Sequence, residues 1–85
     1  VSTLPYDFYD GNAIVYNNEI HILGGYYNKK KHYKWDGLTW TEVSTLPYDI
    51  SNDDKAVVYK DEIHIIGMYL NESIHIKLDG SEWVA

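Results

Sequence analysis

Apolar and β-branched residues of this chain fall into short runs that are separated by glycine, proline, asparagine or aspartate. Residues 13–16 and 56–59 are continuous apolar runs, which predict strands buried on both faces. Each run is followed by a two-residue connection, at 17–18 or 60–61, of a kind that is typical of tight hairpins. No window has the i, i+3, i+4 spacing of an amphipathic helix. The pattern therefore predicts an all-β chain.

Three further strands are predicted after each of these runs. The second strand, at 19–23 or 62–66, ends at a glycine, which permits a sharp departure of the backbone. The third and fourth strands are joined by an Asp-Gly turn, which favours a hairpin. The predicted third strands are 32–35 and 73–78, and the fourth strands carry Trp40 and Trp83.

The whole pattern is written twice. Residues 1–7, VSTLPYD, recur at 43–49, and residues 13–42 align with residues 56–85, where half of the positions are identical. A period of this length is typical of stacked repeat architectures. Four short antiparallel strands per repeat are the content of one β-propeller blade. We therefore expect two blade units, residues 1–42 and 43–85.

The first unit resembles a Kelch-type propeller repeat. It has a strand ending in Gly24-Gly25, then Tyr33, then Trp40 after six further residues. The second unit keeps Gly67 and Trp83 but has Met68 and Ile76 at the other positions of the pattern. The resemblance implies a scaffold that mostly binds other proteins, and less often one with carbohydrate or oxidase chemistry. It fixes no function by itself.

Blades of a propeller pack face to face, so a pair of blades leaves one face open at each end. Joining residues 83–85 to residues 1–3 of a second copy recreates the segment 40–45 in register. We therefore expect the fragment to be completed by oligomerisation, because a head-to-tail contact between identical chains can close into a ring. Three chains with six blades are expected first, and four chains with eight blades next.

The composition of the chain argues against some classes of partner and some kinds of site. The chain has 85 residues, 45% of them hydrophobic, and a net charge of −6, and its seven basic residues are all lysine. An acidic chain without arginine argues against nucleic acid as a partner. No apolar run approaches the roughly 18 residues that a membrane-spanning helix needs. Cysteine is absent, which excludes disulfides and thiolate metal sites.

The loops that connect the second strand to the third, and one unit to the next, are predicted to share one rim. Tyrosine, asparagine and aspartate are frequent there, a composition that suits recognition of a peptide or a glycan, because aromatic faces offer contact area and amides set orientation. The candidate ligand rim comprises Phe8, Tyr9, Asp10, Tyr26, Tyr27, Asn28, Asn52, Asp53, Tyr69 and Asn71.

No pattern in the chain predicts catalysis, a cofactor or a metal. The histidines at 21 and 64, and at 32 and 75, recur at equivalent positions, as packing residues of a repeat would. Asp10 and Asp53 would approach the central channel of a ring, where solvated acids are a simpler interpretation than a cation site. Two hypotheses follow: a non-enzymatic, self-assembling binding scaffold, or a carbohydrate-binding fragment of a glycan-active propeller protein.

Overall fold

The computed structural model describes residues 1–85 and contains eight β-strands and no helix. They form two four-stranded antiparallel sheets in the orders β1-β2-β3-β4 and β5-β6-β7-β8, here called sheet 1 and sheet 2. The all-β prediction with two blade-like sheets is confirmed. The strands are β1 Asn12–Tyr16, β2 Glu19–Leu23, β3 Lys31–Trp35, β4 Trp40–Thr45, β5 Lys55–Tyr59, β6 Glu62–Tyr69, β7 Glu72–Asp79 and β8 Glu82–Val84.

Tight turns join the first two strands of each sheet. Asn17 and Asn18 have φ values of 55° and 63°, and Lys60 and Asp61 have φ values of 49° and 62°. Two successive residues with positive φ are the conformation of a type I′ hairpin, whose twist matches that of the strands. The hairpins predicted at these positions are confirmed.

The second and third strands of sheet 2 are longer than predicted. We expected the strand to leave the sheet at Gly67 and a loop at 69–72, but β6 continues to Tyr69 and meets β7 through the two-residue turn Leu70-Asn71. In sheet 1 the chain leaves the sheet because Gly24 and Gly25 have φ values of 69° and 138°. Sheet 2 has methionine at the second of these positions, and a side chain disfavours such values, so the ladder continues.

The prediction that the first strand of each unit is buried on both faces is wrong for this chain. Val15 in β1 and Val57, Val58 and Tyr59 in β5 are all exposed. Both strands are edges of their sheets, and a sheet is covered only on the side that faces the other sheet. β1 and β5 lie beside each other, and the Tyr16 hydroxyl donates a hydrogen bond to the Asp61 carbonyl over 2.6 Å.

The fourth strands differ in length. β4 has six residues, five of which pair with β3, with a bulge at Val43. β8 has only three residues, which pair with the last three residues of β7. Residues 43–45 complete β4, so the repeat boundary at 42/43 lies within a strand. Their counterparts by sequence are residues 1–3, which belong to no strand in this chain. The β7 edge around Ile74 and His75 therefore has no partner on that side.

The hydrophobic core lies between the two sheets. It consists of Leu23, Leu46, Ile50, Ile65 and Ile76. The segment that connects the sheets is fixed against sheet 1 by backbone hydrogen bonds, from Leu46 N to Lys30 O and from Ile50 N to Lys29 O, each 2.9 Å. The radius of gyration of 12.0 Å is that of an ordinary compact chain of this length, about 12 Å.

Candidate functional site

Three pairs of equivalent repeat positions differ in exposure, with one member buried and the other exposed. Leu23 is 0% exposed and its counterpart Ile66 is 51% exposed. Ile63 is 0% exposed and its counterpart Ile20 is 43% exposed. Leu46 is 1% exposed and its counterpart Leu4 is 44% exposed. The total surface of 5523 Å² is close to the roughly 5,200 Å² of a monomer of this mass, so the exposed apolar surfaces are marked by these positions rather than by the overall area.

Two open surfaces follow from these pairs. The open face of sheet 2 is a shallow depression of about 300 Å³ lined by Val57, Tyr59, His64, Ile66 and His75. It corresponds, residue by residue, to the side of sheet 1 that packs against sheet 2. The open side of sheet 1 carries Ala13 and Ile20, whose counterparts Ala56 and Ile63 are covered or partly covered by sheet 1.

A histidine pair recurs in both sheets. His21 Nδ1 lies 2.9 Å from His32 Nε2, and His64 Nδ1 lies 2.8 Å from His75 Nε2. The first pair is buried between the sheets, where the His32 ring centroid is 5.5 Å from that of Trp83. The second pair lies on the open face of sheet 2, where His75 is exposed.

Burial controls the protonation of the first pair. It lowers the pKa of His32 to about 3, mainly through loss of solvent and then through the neighbouring His21 and Lys34. Burial also lowers the pKa of His21, against an opposing effect of Glu19. His21 Nε2 is buried without a hydrogen-bond partner. The pair is therefore held neutral, because a charge enclosed between two sheets is not solvated.

A serine and a tryptophan join successive repeats at the outer strand. Trp83 Nε1 donates a hydrogen bond to Ser44 Oγ over 2.9 Å, and Trp40 Nε1 donates one to Ser2 Oγ over 3.1 Å. Ser44 also lies 3.4 Å from His32 Nδ1, on the sheet to which it belongs. Ser2 accepts a hydrogen bond from a tryptophan as Ser44 does, but no histidine lies beside it. The counterpart of His32 is His75, which lies in the other sheet. Sequence reasoning missed these serines, although both recur with the tryptophans.

Three of the candidate rim residues form one exposed aromatic cluster. Tyr26 and Tyr27 are in contact, with ring centroids 4.9 Å apart, and Tyr9 lies 6.1 Å and 6.3 Å from them. The Lys29 ammonium is 5.9 Å from the Tyr26 ring centroid. Asn28 is adjacent in the chain, and its side chain donates a hydrogen bond to the Asp7 carbonyl over 3.4 Å. We call Tyr9, Tyr26 and Tyr27 the tyrosine cluster.

The remaining rim candidates lie in other settings. Phe8 is half-buried against Tyr6, with ring centroids 6.0 Å apart, and Asp10 has a positive φ of 63°. Tyr69 packs on Tyr48 at 5.1 Å and, with Asp53, lines a separate hollow of sheet 2. Two asparagines serve local structure: the Asn52 carbonyl accepts a hydrogen bond from Lys55, and Asn71 forms the turn between β6 and β7.

Asp54 organises the loop that leads into sheet 2. This buried carboxylate accepts hydrogen bonds from Ser51 N, 3.0 Å, and from Met68 N, 3.1 Å. Gly67 is required beside it, because a Cβ at that position would overlap the Asp54 carboxylate. The sequence shows that acidic residues precede β5, but it does not distinguish the buried Asp54 from its exposed neighbour Asp53.

No set of three or more histidine, aspartate or glutamate side chains converges in a geometry that could hold a metal ion. The structure also contains no helix able to cross a membrane. Comparisons of the chain with protein-family models, curated proteins and solved structures gave no match. Function is therefore inferred from the residues and their geometry alone.

Proposed function

We propose that this chain is a non-enzymatic, Kelch-like unit of two blades that assembles with copies of itself into a closed β-propeller and serves as a scaffold or protein-binding module. The observation that carries the proposal is the pairwise inversion of exposure, in which Leu23, Ile63 and Leu46 are buried and their repeat counterparts are not. The open face of sheet 2 in one copy packs against the open side of sheet 1 in the next copy, in the same way as the two sheets pack within the chain. We call this contact between copies the seam.

Each side of the seam has its counterpart within the chain. The open face of sheet 2 has the residue types with which sheet 1 contacts sheet 2, including the histidine pair and an aliphatic residue at 66. The open side of sheet 1 presents Ile20 where sheet 2 buries Ile63. A second copy therefore fits the open face as sheet 2 fits sheet 1, in a head-to-tail contact that can close into a ring.

Strand pairing gives the seam its register. In sheet 1, His32 pairs with Ser44 and Lys31 pairs with Thr45. The corresponding edge of β7, at Ile74 and His75, has no such partner, and residues 1–3 have the matching sequence. Ser2 of the next copy would thus pair beside His75 while its hydroxyl keeps the hydrogen bond from Trp40 of its own chain.

Burial of these surfaces supplies the driving force. Four strands spaced at about 4.8 Å and about 17 Å long present roughly 300 Å² per face. At about 25 cal/mol/Å², a wholly apolar face would contribute on the order of 7 kcal/mol. In a ring each chain forms two seams at once, and the second seam closes at high effective concentration. We propose three chains and six blades, with four chains and eight blades as the next closed ring.

A charge on the open face tests the proposal. Ile66→Asp places a carboxylate in the seam and should convert the assembly to a folded monomer, as measured by sedimentation equilibrium and far-UV circular dichroism. Leu38→Asp is the matched control, because Leu38 is exposed in a turn and its counterpart Ser81 is exposed as well. An Ile66→Asp protein with the mass of the wild type would refute the proposed seam.

The tyrosine cluster supports a second candidate function, binding of carbohydrate. Three exposed rings within 6.3 Å of each other offer stacking surfaces for a sugar. Glycan-array binding that is lost in Tyr26→Ala would support this function. Tyr69→Ala serves as a comparison, since Tyr69 lies in the other hollow and packs on Tyr48. An array without signal would refute the carbohydrate function and leave the scaffold function in place.

A further inference from the structure

The two histidine pairs are one chemical arrangement in two environments. Their internal separations are 2.9 Å and 2.8 Å, and each pair lies within 6 Å of a tyrosine ring, Tyr16 in sheet 1 and Tyr59 in sheet 2. Only the sheet 1 pair is enclosed by another sheet. If a second copy covers the open face of sheet 2, His64 and His75 enter the environment that His21 and His32 already occupy.

The charged groups around each pair come from its own sheet. His64 Nε2 lies 3.6 Å from Glu62 Oε1, and Glu62 Oε2 lies 3.2 Å from Lys77 Nζ. Sheet 1 repeats this arrangement, with Glu19 3.4 Å from Lys34 beside His21. Each glutamate is thus neutralised by a lysine, which leaves little net negative charge to stabilise an imidazolium.

The groups that cover the sheet 1 pair from other elements do not titrate at neutral pH. They are the Trp83 ring of β8 and the Ser44 hydroxyl of β4. At the seam, the counterparts of these groups are Trp40 and Ser2 of the next copy, which already form a hydrogen bond with each other. The next copy would therefore cover His64 and His75 with an indole and a hydroxyl, and with no carboxylate at these positions.

A neutral pair suits this environment, because one imidazole N–H donates to the lone pair of the other ring. Protonation of both rings turns both facing nitrogens into donors, which removes the hydrogen bond and adds repulsion. In the separated chain water solvates this charge at the exposed His75. Inside the seam water does not reach the pair, and a buried charge without a partner is costly.

We propose that the His64–His75 pair makes the seam pH-dependent, so that copies associate when the pair is neutral and separate when it takes up a proton. This inference rests on the proposed self-assembly. The enclosed pair gives the direction: burial lowers the pKa of His21 and His32. A base whose pKa falls on association releases protons as the seam forms, so acid favours the separated copies.

The expected size follows from the ordinary imidazole value. A model imidazole has a pKa of about 6.5, and an association that requires such a group to stay neutral weakens about tenfold for each pH unit below that value. Lowering the pH from 7.5 to 5.0 should therefore raise the dissociation constant of each seam by about thirtyfold. Protonation of both histidines would increase the effect further.

The test is sedimentation equilibrium of the full chain at pH 7.5, 6.5, 5.5 and 5.0, with far-UV circular dichroism to show that the sheets persist. Wild type should be a ring at pH 7.5 and separate by pH 5.0. The double variant His64→Gln and His75→Gln retains amide donors and acceptors but cannot titrate. Whatever its affinity at pH 7.5, its dissociation constant should change less than threefold over the same range.

A second measurement does not depend on that variant assembling. Imidazole C2–H resonances of the monomeric Ile66→Asp protein, followed from pH 7.5 to pH 5.0, show whether the open pair takes up a proton in the separated chain while His32 stays neutral. A wild-type ring whose mass is unchanged at pH 5.0, a double variant that separates as wild type does, or a free His64–His75 pair that stays neutral at pH 5 would each overturn the pH dependence. These results leave the assembly itself standing, whereas a monomeric wild type at pH 7.5 would refute both proposals.

Discussion

Sheet 1 and sheet 2 are built from the same repeated sequence, yet they differ in what covers them. The side of sheet 1 with Leu23 packs against sheet 2, whereas the side of sheet 2 with Ile66 faces solvent. The two residues are equally apolar, so neighbours rather than composition decide their exposure. The comparison indicates that equivalent apolar residues, such as Leu23 and Ile66, are covered in one repeat and left exposed in the other.

The largest expected difference between the sheets is the cost of truncating Leu23 and Ile66. Leu23→Ala removes a side chain that is 0% exposed and should lower the free energy of unfolding by about 3 kcal/mol. Ile66→Ala should lower the stability of the separated chain by less than about 1 kcal/mol but weaken the seam. Urea denaturation at low protein concentration, together with sedimentation, measures both effects. Equal costs in the separated chain would contradict the comparison.

Asp54 is a second difference, because the first repeat has Gly11 at the counterpart position. Asp54→Ala leaves the amides of Ser51 and Met68 without their acceptor and should destabilise the chain by about 2 kcal/mol. Gly67→Ala should cost a similar amount because of its overlap with the carboxylate. In the Asp54→Ala background the same substitution should cost less than about 1 kcal/mol. Additive costs in thermal or urea denaturation would contradict the overlap.

The enclosed histidines predict that acid destabilises the fold itself. The pKa of His32 is lowered to about 3, below the unfolded value of about 6.5. The contribution of neutral His32 to the free energy of unfolding is therefore complete above pH 6.5. It is lost as the pH falls towards 3, at about 1.4 kcal/mol per pH unit. Urea midpoints of the monomeric Ile66→Asp protein between pH 7 and pH 4 measure the slope. His32→Gln should flatten it, and a flat profile in the parent would contradict the assignment.

The smallest expected difference concerns the two serines. Ser44→Ala removes the acceptor of the Trp83 hydrogen bond and should cost about 1 kcal/mol in the free energy of unfolding. Ser2→Ala should change the stability of the separated chain by a few tenths of a kcal/mol, because the Trp40 indole N–H can bond to water instead. Its effect should appear in the seam. A larger loss for Ser2→Ala than for Ser44→Ala in the monomer would contradict the repeat equivalence.

Most of the fold could be predicted from the sequence because the strand signals are local. The hairpin residues Asn17 and Asn18, for example, tolerate the positive φ that their turn requires. The longer β6 and β7 could not be predicted in this way. Gly67 is equivalent to Gly24, at which the chain leaves sheet 1. In sheet 2, however, Met68 and the buried Asp54 carboxylate hold the backbone in the sheet.

The candidate sites depend on contacts that lie far apart in sequence. The composition of the rim identified Tyr9, Tyr26 and Tyr27, but only the folded structure shows that these three cluster and that Tyr69 packs elsewhere. Recurrence indicated that the histidines were structural residues, yet the sequence could not show that one pair is enclosed and the other open. That contrast depends on which faces meet, which local patterns do not encode.

The mass of the wild-type chain in solution at pH 7.5 tests the central claim most directly. Self-assembly into a six-bladed ring predicts three times the chain mass of 9.9 kDa, which is about 30 kDa by sedimentation equilibrium, for a ring built by repetition of one heterologous, head-to-tail contact. A folded species of 9.9 kDa at concentrations up to the millimolar range would contradict the account, because the open face of sheet 2 would then be stable without a second copy.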